Sequence, residues 1–333
     1  IHTFGTRINP ARMTRVVVNV TKCNSCSPTL LLLISLSAQP TAHCYHPLGS
    51  DFAFLLHIIK SLKSTGKGAV ILPHGVLFRG NTEANIRRNL IQRGYIKGVI
   101  GLPANLFYGT GIPACIIVID KEDAARRSGI FMIDASKGYV KDGNKNRLRE
   151  QDIRKIVDLW DEQLEIPKYS RFVSNNEIQK NEYNLNIPRY IDTQEIEDIQ
   201  DIEAHLKGGI PNADIDGLDE YWQICPSLKG ALFKASRSGY STLTIVPEEV
   251  RKTIFSYPEF IAFHNKIVEI FSSWRLTTVS ELMNISTADH PKAIIQKISG
   301  DILKVFSDAH LLDKYDIYQC LMSYWEEVMQ DDA

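Results

Sequence analysis

The chain has 333 residues, enough for about two domains. At 44% hydrophobic, 23% charged and a net charge of -1, it falls outside the fibrous, intrinsically disordered and strongly basic classes. Six cysteines scattered over this length do not form a disulfide framework, and Cys115, Cys225 and Cys320 lie in apolar settings that suit buried thiols in a reducing cytoplasm, the expected location.

The small net charge hides an asymmetry. Lys and Arg stand at 4 against 0 Asp and Glu in residues 1–50, 22 against 15 in 51–190, and 12 against 24 in 191–333. A basic segment beside an acidic one suits a nucleic-acid-facing domain joined to a protein-facing one, and also suits plain solvated faces.

Residues 1–50 do not match the rest. The run TLLLLISLSA (29–38), after Arg12, Arg15 and Lys22, imitates the core of a signal peptide. It is too short for a membrane span, and no membrane association is expected. Cys23-x-x-Cys26 with His43, Cys44 and His46 imitates a zinc site. The His-Cys-Tyr-His half is not a regular ligand pair, so no metal is expected. Residues 1–50 are expected to be an aberrant leader without a native fold.

Regularity starts at Ser50-Asp51. DFAFLLHIIKSLKSTG places Phe52, Leu55, Leu56, Ile59 and Leu62 at helical spacing before Gly66. GAVILP (68–73) predicts a buried strand, since its apolar run is too short for a helix. NTEANIRRNLIQRG (81–94) predicts a helix capped by Asn81 or Thr82 and stopped by Gly94, with Ile86 and Leu90 facing inward. Strands follow at 96–103 (IKGVIGLP) and 114–121 (ACIIVIDK), with a further candidate at 129–136 (GIFMIDAS). Helix, strand, helix, strand predicts parallel pairing through right-handed crossovers. No helix separates the strands at 96–103 and 114–121, so the second of these is expected to insert antiparallel. REQDIRKIVDLWDEQ (149–163) predicts a charged helix with Ile153, Ile156, Val157 and Trp160 on one face.

A boundary is expected near 190–210, where acidic residues and LKGGIPN follow NLNIPRYID. Two long stretches beyond it, 246–275 and 290–330, carry sustained helical periodicity. The aromatics beyond the boundary, with Trp222, Trp274, Tyr324 and Trp325 among them, suit a core or a helix face that meets a partner.

Between two of the predicted strands lies LFYGTGIPACIIVIDK (106–121). A cofactor-cradling glycine loop needs a strand before it and a helix after it, so that amide groups point at the ligand. Here a strand follows, so Gly109 and Gly111 are not expected to cradle a cofactor. The distinctive residue is Phe107, an aromatic on a glycine-hinged loop at the carboxyl edge of the sheet. It is placed either to stack on a planar base or to plug the end of the sheet.

LPHGVLFRG, GLPANLFYGTGIPACI, NLNIPRYID, LKGGIPN and LLDKYDIYQCLMSYWEEVMQDD together resemble the adenine-N6 DNA methyltransferases. Residues 51–333 are most similar to the modification subunit of type I restriction-modification systems. The resemblance implies the second half of a Rossmann-like, S-adenosylmethionine-dependent methyltransferase sheet over 51–190, and a mainly helical subunit-interaction domain over 191–333. It implies that Phe107 is the second of two aromatics that clamp a flipped adenine, which cannot be attacked at N6 inside a stacked duplex. It further implies that Phe54 lines the adenine ring of S-adenosylmethionine, although helix core is an equal reading of that residue. The implied partners are DNA, a sequence-specificity subunit and a restriction subunit.

The departures concern the amino-terminal side. The family's Asp-Pro-x-x-Gly-Thr-Gly donor loop does not occur before Asp51. Its Asn-Pro-Pro-aromatic motif is matched only by Asn9-Pro10-Ala11-Arg12, a degenerate counterpart without the second proline or the aromatic. The amino-terminal part of the domain is therefore expected to be missing and the chain to be inactive as written. An assembly module that docks on the specificity subunit without catalysis is the alternative.

Overall fold

The computed structural model describes residues 50–192, 201–285 and 290–328, together with two short strands, β1 (Val17–Val18) and β2 (Leu32–Leu33), which pair antiparallel. Asn9, Pro10 and the leader's cysteines and histidines lie outside the described residues. The chain divides into two compact units, 1–195 and 196–333.

The first unit is built on a five-stranded mixed sheet. In chain order it contains α1 (Ser50–Ser61), β3 (Lys67–Pro73), α2 (Asn81–Gln92), β4 (Ile96–Gly101), β5 (Ala114–Asp120) and β6 (Gly129–Asp134). A hairpin of β7 (Val140–Asp142) and β8 (Lys145–Arg147) follows, then α3 (Glu150–Glu162), β9 (Ser170–Ser174) and α4 (Asn175–Lys180). The sheet order is β3-β5-β4-β6-β9. β4 and β6 pair in parallel, whereas β5 is antiparallel to both its neighbours and β9 is antiparallel to β6. The antiparallel insertion of β5 is as expected. Direct pairing of β3 with β4 is not found, because β5 occupies the gap between them.

Local chemistry explains these elements. α1 carries Asp51 in its first turn and Lys60 in its last, complementing the helix dipole. It buries Phe52, Leu55, Ile58 and Ile59 at helical spacing. α2 starts at Asn81 with Gly80 in the capping position, and the chain leaves it through Gly94 at φ +66°, a left-handed turn. A Cβ at Gly94 would stand 2.0 Å from the carbonyl oxygen of Ala124. β6 is buried at all six positions and β4 at five of six, which is why both appear in the sequence as apolar runs without alternation.

α3 departs from the expected face. Ile156 and Leu159 are buried and Trp160 is half-buried, but Ile153 and Val157 are 42% and 46% exposed. The helix is rotated so that Trp160 covers Gly98 of β4 and meets Phe131 of β6 edge-on at 6.2 Å. Arg149 and Asp152 fix its start: the Arg149 N–H donates to Asp152 Oδ2 at 2.9 Å, and the guanidinium bonds both carboxylate oxygens.

The second unit is mainly helical, as expected, from α5 (Ile202–Lys207) through α6 (Asn212–Asp216), α7 (Asp219–Ile224), α8 (Pro226–Leu232), α9 (Pro247–Ser256), α10 (Pro258–Leu282) and α11 (Pro291–Val305) to α12 (Lys314–Val328). It also holds a three-stranded antiparallel sheet that the helical periodicity did not reveal. Its strands are β10 (Ile210–Pro211), β11 (Phe233–Arg237) and β12 (Tyr240–Leu243), with β12 in the middle. Proline breaks the expected long helix at the α9–α10 junction, where Tyr257 is extended and Pro258 opens α10. Trp222 packs with Phe233 around buried Cys225, Leu228 and Leu232. Among the described residues no helix is long and apolar enough to cross a membrane, and no group of His, Cys, Asp or Glu is placed to hold a metal.

Candidate functional site

β3, β4 and β6 end at one edge of the sheet, and β5 begins there. Three connections leave this edge side by side: 74–80 after β3, 102–113 between β4 and β5, and 135–139 after β6. Backbone bonds stitch them together. The His74 N–H donates to the carbonyl of Pro113 (3.0 Å), Leu102 to Ala114 (2.9 Å) and Ala135 to Gly101 (3.0 Å). In open α/β sheets this carboxyl edge is where ligands bind.

The 102–113 connection carries the aromatics. It turns through Asn105 at φ +57° and Gly109 at φ +82°, and the Ile112 N–H donates to Thr110 Oγ1 at 3.1 Å. Phe107 is half-buried, packed against the cluster of Ile100, Leu102, Ala114, Phe131 and Ile133. Its ring thus plugs the sheet end with part of its surface and leaves the remainder to solvent. Tyr108 beside it is 78% exposed, and Ile112 is 60% exposed.

The β7–β8 hairpin holds this loop from the far side. The Asn146 N–H donates to the carbonyl of Asn105 (3.0 Å), and the Asn146 Nδ2 to that of Ala104 (2.7 Å). Lys145 Nζ donates to the carbonyls of Phe107 (2.8 Å) and Thr110 (3.3 Å). Gly143 at φ +57° forms the hairpin tip. The helix and strand periodicities of the sequence do not reveal this hairpin. Gly143-Asn144 between two short polar strands is the signal for it.

His74 and Asp134 flank the loop at the ends of β3 and β6. Burial lowers the pKa of His74 against the opposing pull of the Asp134 charge, so its imidazole is neutral at neutral pH. The His74 ring meets Phe78 edge-on at 5.9 Å. Asp134 is buried and its Oδ1 accepts the Ser136 N–H at 3.0 Å, which shapes the turn leaving β6. Neither residue was singled out in the sequence. A histidine in the turn directly after a buried strand was the available signal.

On the donor side the one expected contact is Phe54, and the glycine loop is not expected to cradle a cofactor. Phe54 lies on α1, half-buried against the cluster that contains Phe52, Leu55 and Ile58, as helix core would. Gly109-Thr110-Gly111 sits between two strands, with no helix to aim amide groups at a ligand. Neither feature makes a cradle for S-adenosylmethionine, and the described residues do not fit a donor site. What the edge offers is an aromatic face on a loop of fixed shape, beside a neutral imidazole and a buried carboxylate.

Residues 42–199 match the model of the N-6 DNA methylase family. The methylase subunit of the type I restriction enzyme MpnII from Mycoplasma pneumoniae is 32% identical over 155 residues, which are 46% of this chain and 28% of that protein. The MjaVII methylase subunit from Methanocaldococcus jannaschii is 38% identical over 146 residues, covering 42% and 25%. A crystal structure of the type I restriction-modification methyltransferase subunit from Streptococcus thermophilus aligns at 46% identity with a TM-score of 0.41, covering 43% of this chain and 30% of that one. The matched segment spans roughly a quarter of the length of these curated relatives.

Proposed function

From its relationship, through residues 42–199, to the N-6 DNA methylase family and the type I methylase subunits, we propose that this chain is the target-base part of a site-specific DNA adenine-N6 methyltransferase subunit. The observation that carries the reading is the half-buried Phe107, held on a bonded loop at the carboxyl edge of the sheet. Chemistry at N6 needs the adenine out of the stack, and an aromatic face offsets part of the unstacking cost. S-adenosylmethionine is the donor in the proposed whole enzyme, and no step is assigned to it on the described residues. With the catalytic motif matched only by the degenerate Asn9-Pro10-Ala11-Arg12 and no donor cradle among the described residues, the chain alone is proposed to recognise the base without completing methyl transfer. A reducing cytoplasmic setting is in keeping with Cys115 and Cys225 as buried free thiols.

The test compares the affinity of the chain for a duplex with a mispaired adenine and for the same duplex with an abasic site, read by fluorescence anisotropy. A mispaired base is the least costly to extrude. Phe107→Ala is expected to weaken adenine-dependent binding by about tenfold or more, from the roughly 1 to 3 kcal/mol of one stacked base. The abasic duplex is expected to bind both proteins equally. A loss with Tyr108→Ala in place of Phe107→Ala would reassign the stacking face, and no loss with either would sink the reading.

A second reading concerns the other unit: assembly with the sequence-specificity subunit, and through it with a restriction subunit. α10 favours it, because its 25 residues expose Ile261, Val268, Phe271, Leu276 and Val279, and Met283 just past its end is exposed too. Co-expression with the specificity subunit is expected to recover a stable complex, and Leu276→Asp with Met283→Asp to abolish it. Undiminished recovery of the doubly substituted chain would remove α10 from the interface.

A further inference from the structure

We infer that Lys145 is a positioning residue for the aromatic loop, setting the orientation in which Phe107 meets a base. The inference rests on the proposed target-base role. A connection that leaves one strand and returns along its neighbour has no ladder of its own for its apex carbonyls. At the apex of 102–113 those are the carbonyls of Phe107 and Thr110, on either side of Tyr108 and the left-handed Gly109. An ammonium has three N–H donors and no acceptor, so one Lys can close such a turn from outside by bonding both carbonyls at once. Lys145 does so, at 2.8 and 3.3 Å, from a half-buried position on β8. Because the donor is charged, these bonds are stronger than neutral ones.

Asn146, the next residue, bonds the carbonyls of Ala104 and Asn105. The two hairpin residues divide the loop: Asn146 holds its start, and Lys145 holds the residue that carries the ring. β7 is exposed along its length, and the bonds from β8 join the hairpin to the loop. Lys145→Met keeps the aliphatic stem and removes the donors, leaving two carbonyls to water and the Phe107 backbone without its anchor.

The experiment uses the full chain labelled with 4-fluorophenylalanine, with the Phe107 resonance assigned through Phe107→Leu and buried Phe131 as the core reference. In Lys145→Met the Phe107 fluorine line is expected to shift or broaden while the Phe131 line stays in place. Adenine-dependent affinity for the mispaired duplex is expected to fall about tenfold, as for loss of a charged hydrogen bond. Lys145→Arg, which restores donors, is expected to recover the line and most of the affinity. An unchanged Phe107 line in Lys145→Met overturns the inference, as does a Phe131 line that moves in both variants, which marks a general structural role. If Phe107→Ala leaves adenine binding intact, the target-base reading fails, while the fluorine lines still decide whether Lys145 sets the ring. Should Lys145→Met not fold, Lys145→Leu, which also lacks donors, provides the same comparison.

Discussion

Arg87→Met is expected to destabilise the sheet unit by about 3 to 5 kcal/mol, the cost of leaving three carbonyls without their charged donor. Arg87 lies on the inner side of α2 and is only 4% exposed. Its Nε donates to the carbonyl of Tyr183 (2.9 Å), and its Nη1 to those of Val76 (3.1 Å) and Arg79 (3.0 Å). One guanidinium therefore ties α2 both to the connection after β3, which carries His74, and to the chain that follows α4. Burial lowers its pKa, opposed by the charge of Glu83, but from an ordinary value so high that the group keeps its charge at neutral pH. Met fills much of the volume and leaves three carbonyls without their donor. Denaturant unfolding measures the loss, with Arg88→Met as the control. Arg88 is exposed, with its guanidinium 5.1 Å from the Tyr183 ring centroid, and its removal is expected to cost less than about 1 kcal/mol. Equal midpoints for the two variants would show that the bonds of Arg87 carry no net stability.

Arg87 also marks where sequence reasoning stops. In NTEANIRRNLIQRG the paired arginines occupy adjacent positions, and arginine is usually a surface residue, so nothing in the segment tells the buried one from the exposed one. Apolar runs behave differently. β4 and β6 were legible because strands buried on both faces lose the alternation that solvent imposes, and β3 and β5 because their apolar runs are too short for helices. The antiparallel β5 was legible for a related reason, since no helix intervenes to carry the chain back. The site was half legible. Phe107 stands out as an aromatic between glycine-hinged strands, and Gly109 and Gly111 could be dismissed as a cofactor cradle from strand order alone. Lys145 and Asn146 were not legible, because their partners are backbone carbonyls some forty residues away and no side-chain pattern encodes such a bond. The rotation of α3 was missed for a similar reason. Ile153 and Val157 fit the helical period as well as Leu159 does, and the choice between faces is made by Gly98, on another element.

Gly98 supports the second large prediction. A Cβ built there would stand 2.2 and 2.5 Å from two ring carbons of Trp160 and 2.7 Å from the carbonyl oxygen of Phe131. The tryptophan ring can retreat only by pushing α3 off the sheet, and the carbonyl belongs to the parallel ladder with β6, where Gly98 faces Phe131. Gly98→Ala is therefore expected to cost about 3 kcal/mol, the upper part of the range for overpacking. Pairing it with Trp160→Leu is expected to recover part of the loss, since the clash with the Phe131 carbonyl remains. A double-mutant cycle should return a coupling of at least about 1 kcal/mol, and strict additivity would refute the packing account. The consequence reaches the site, because α3 begins three residues after β8 ends. Displacing the helix pulls on the strand whose Lys145 and Asn146 hold the aromatic loop. In Gly98→Ala the fluorine line of Phe107 is thus expected to shift as it does in Lys145→Met, although Gly98 makes no contact with the loop's bonded carbonyls. A Phe107 line that stays at its original position in a folded Gly98→Ala chain would uncouple α3 from the loop.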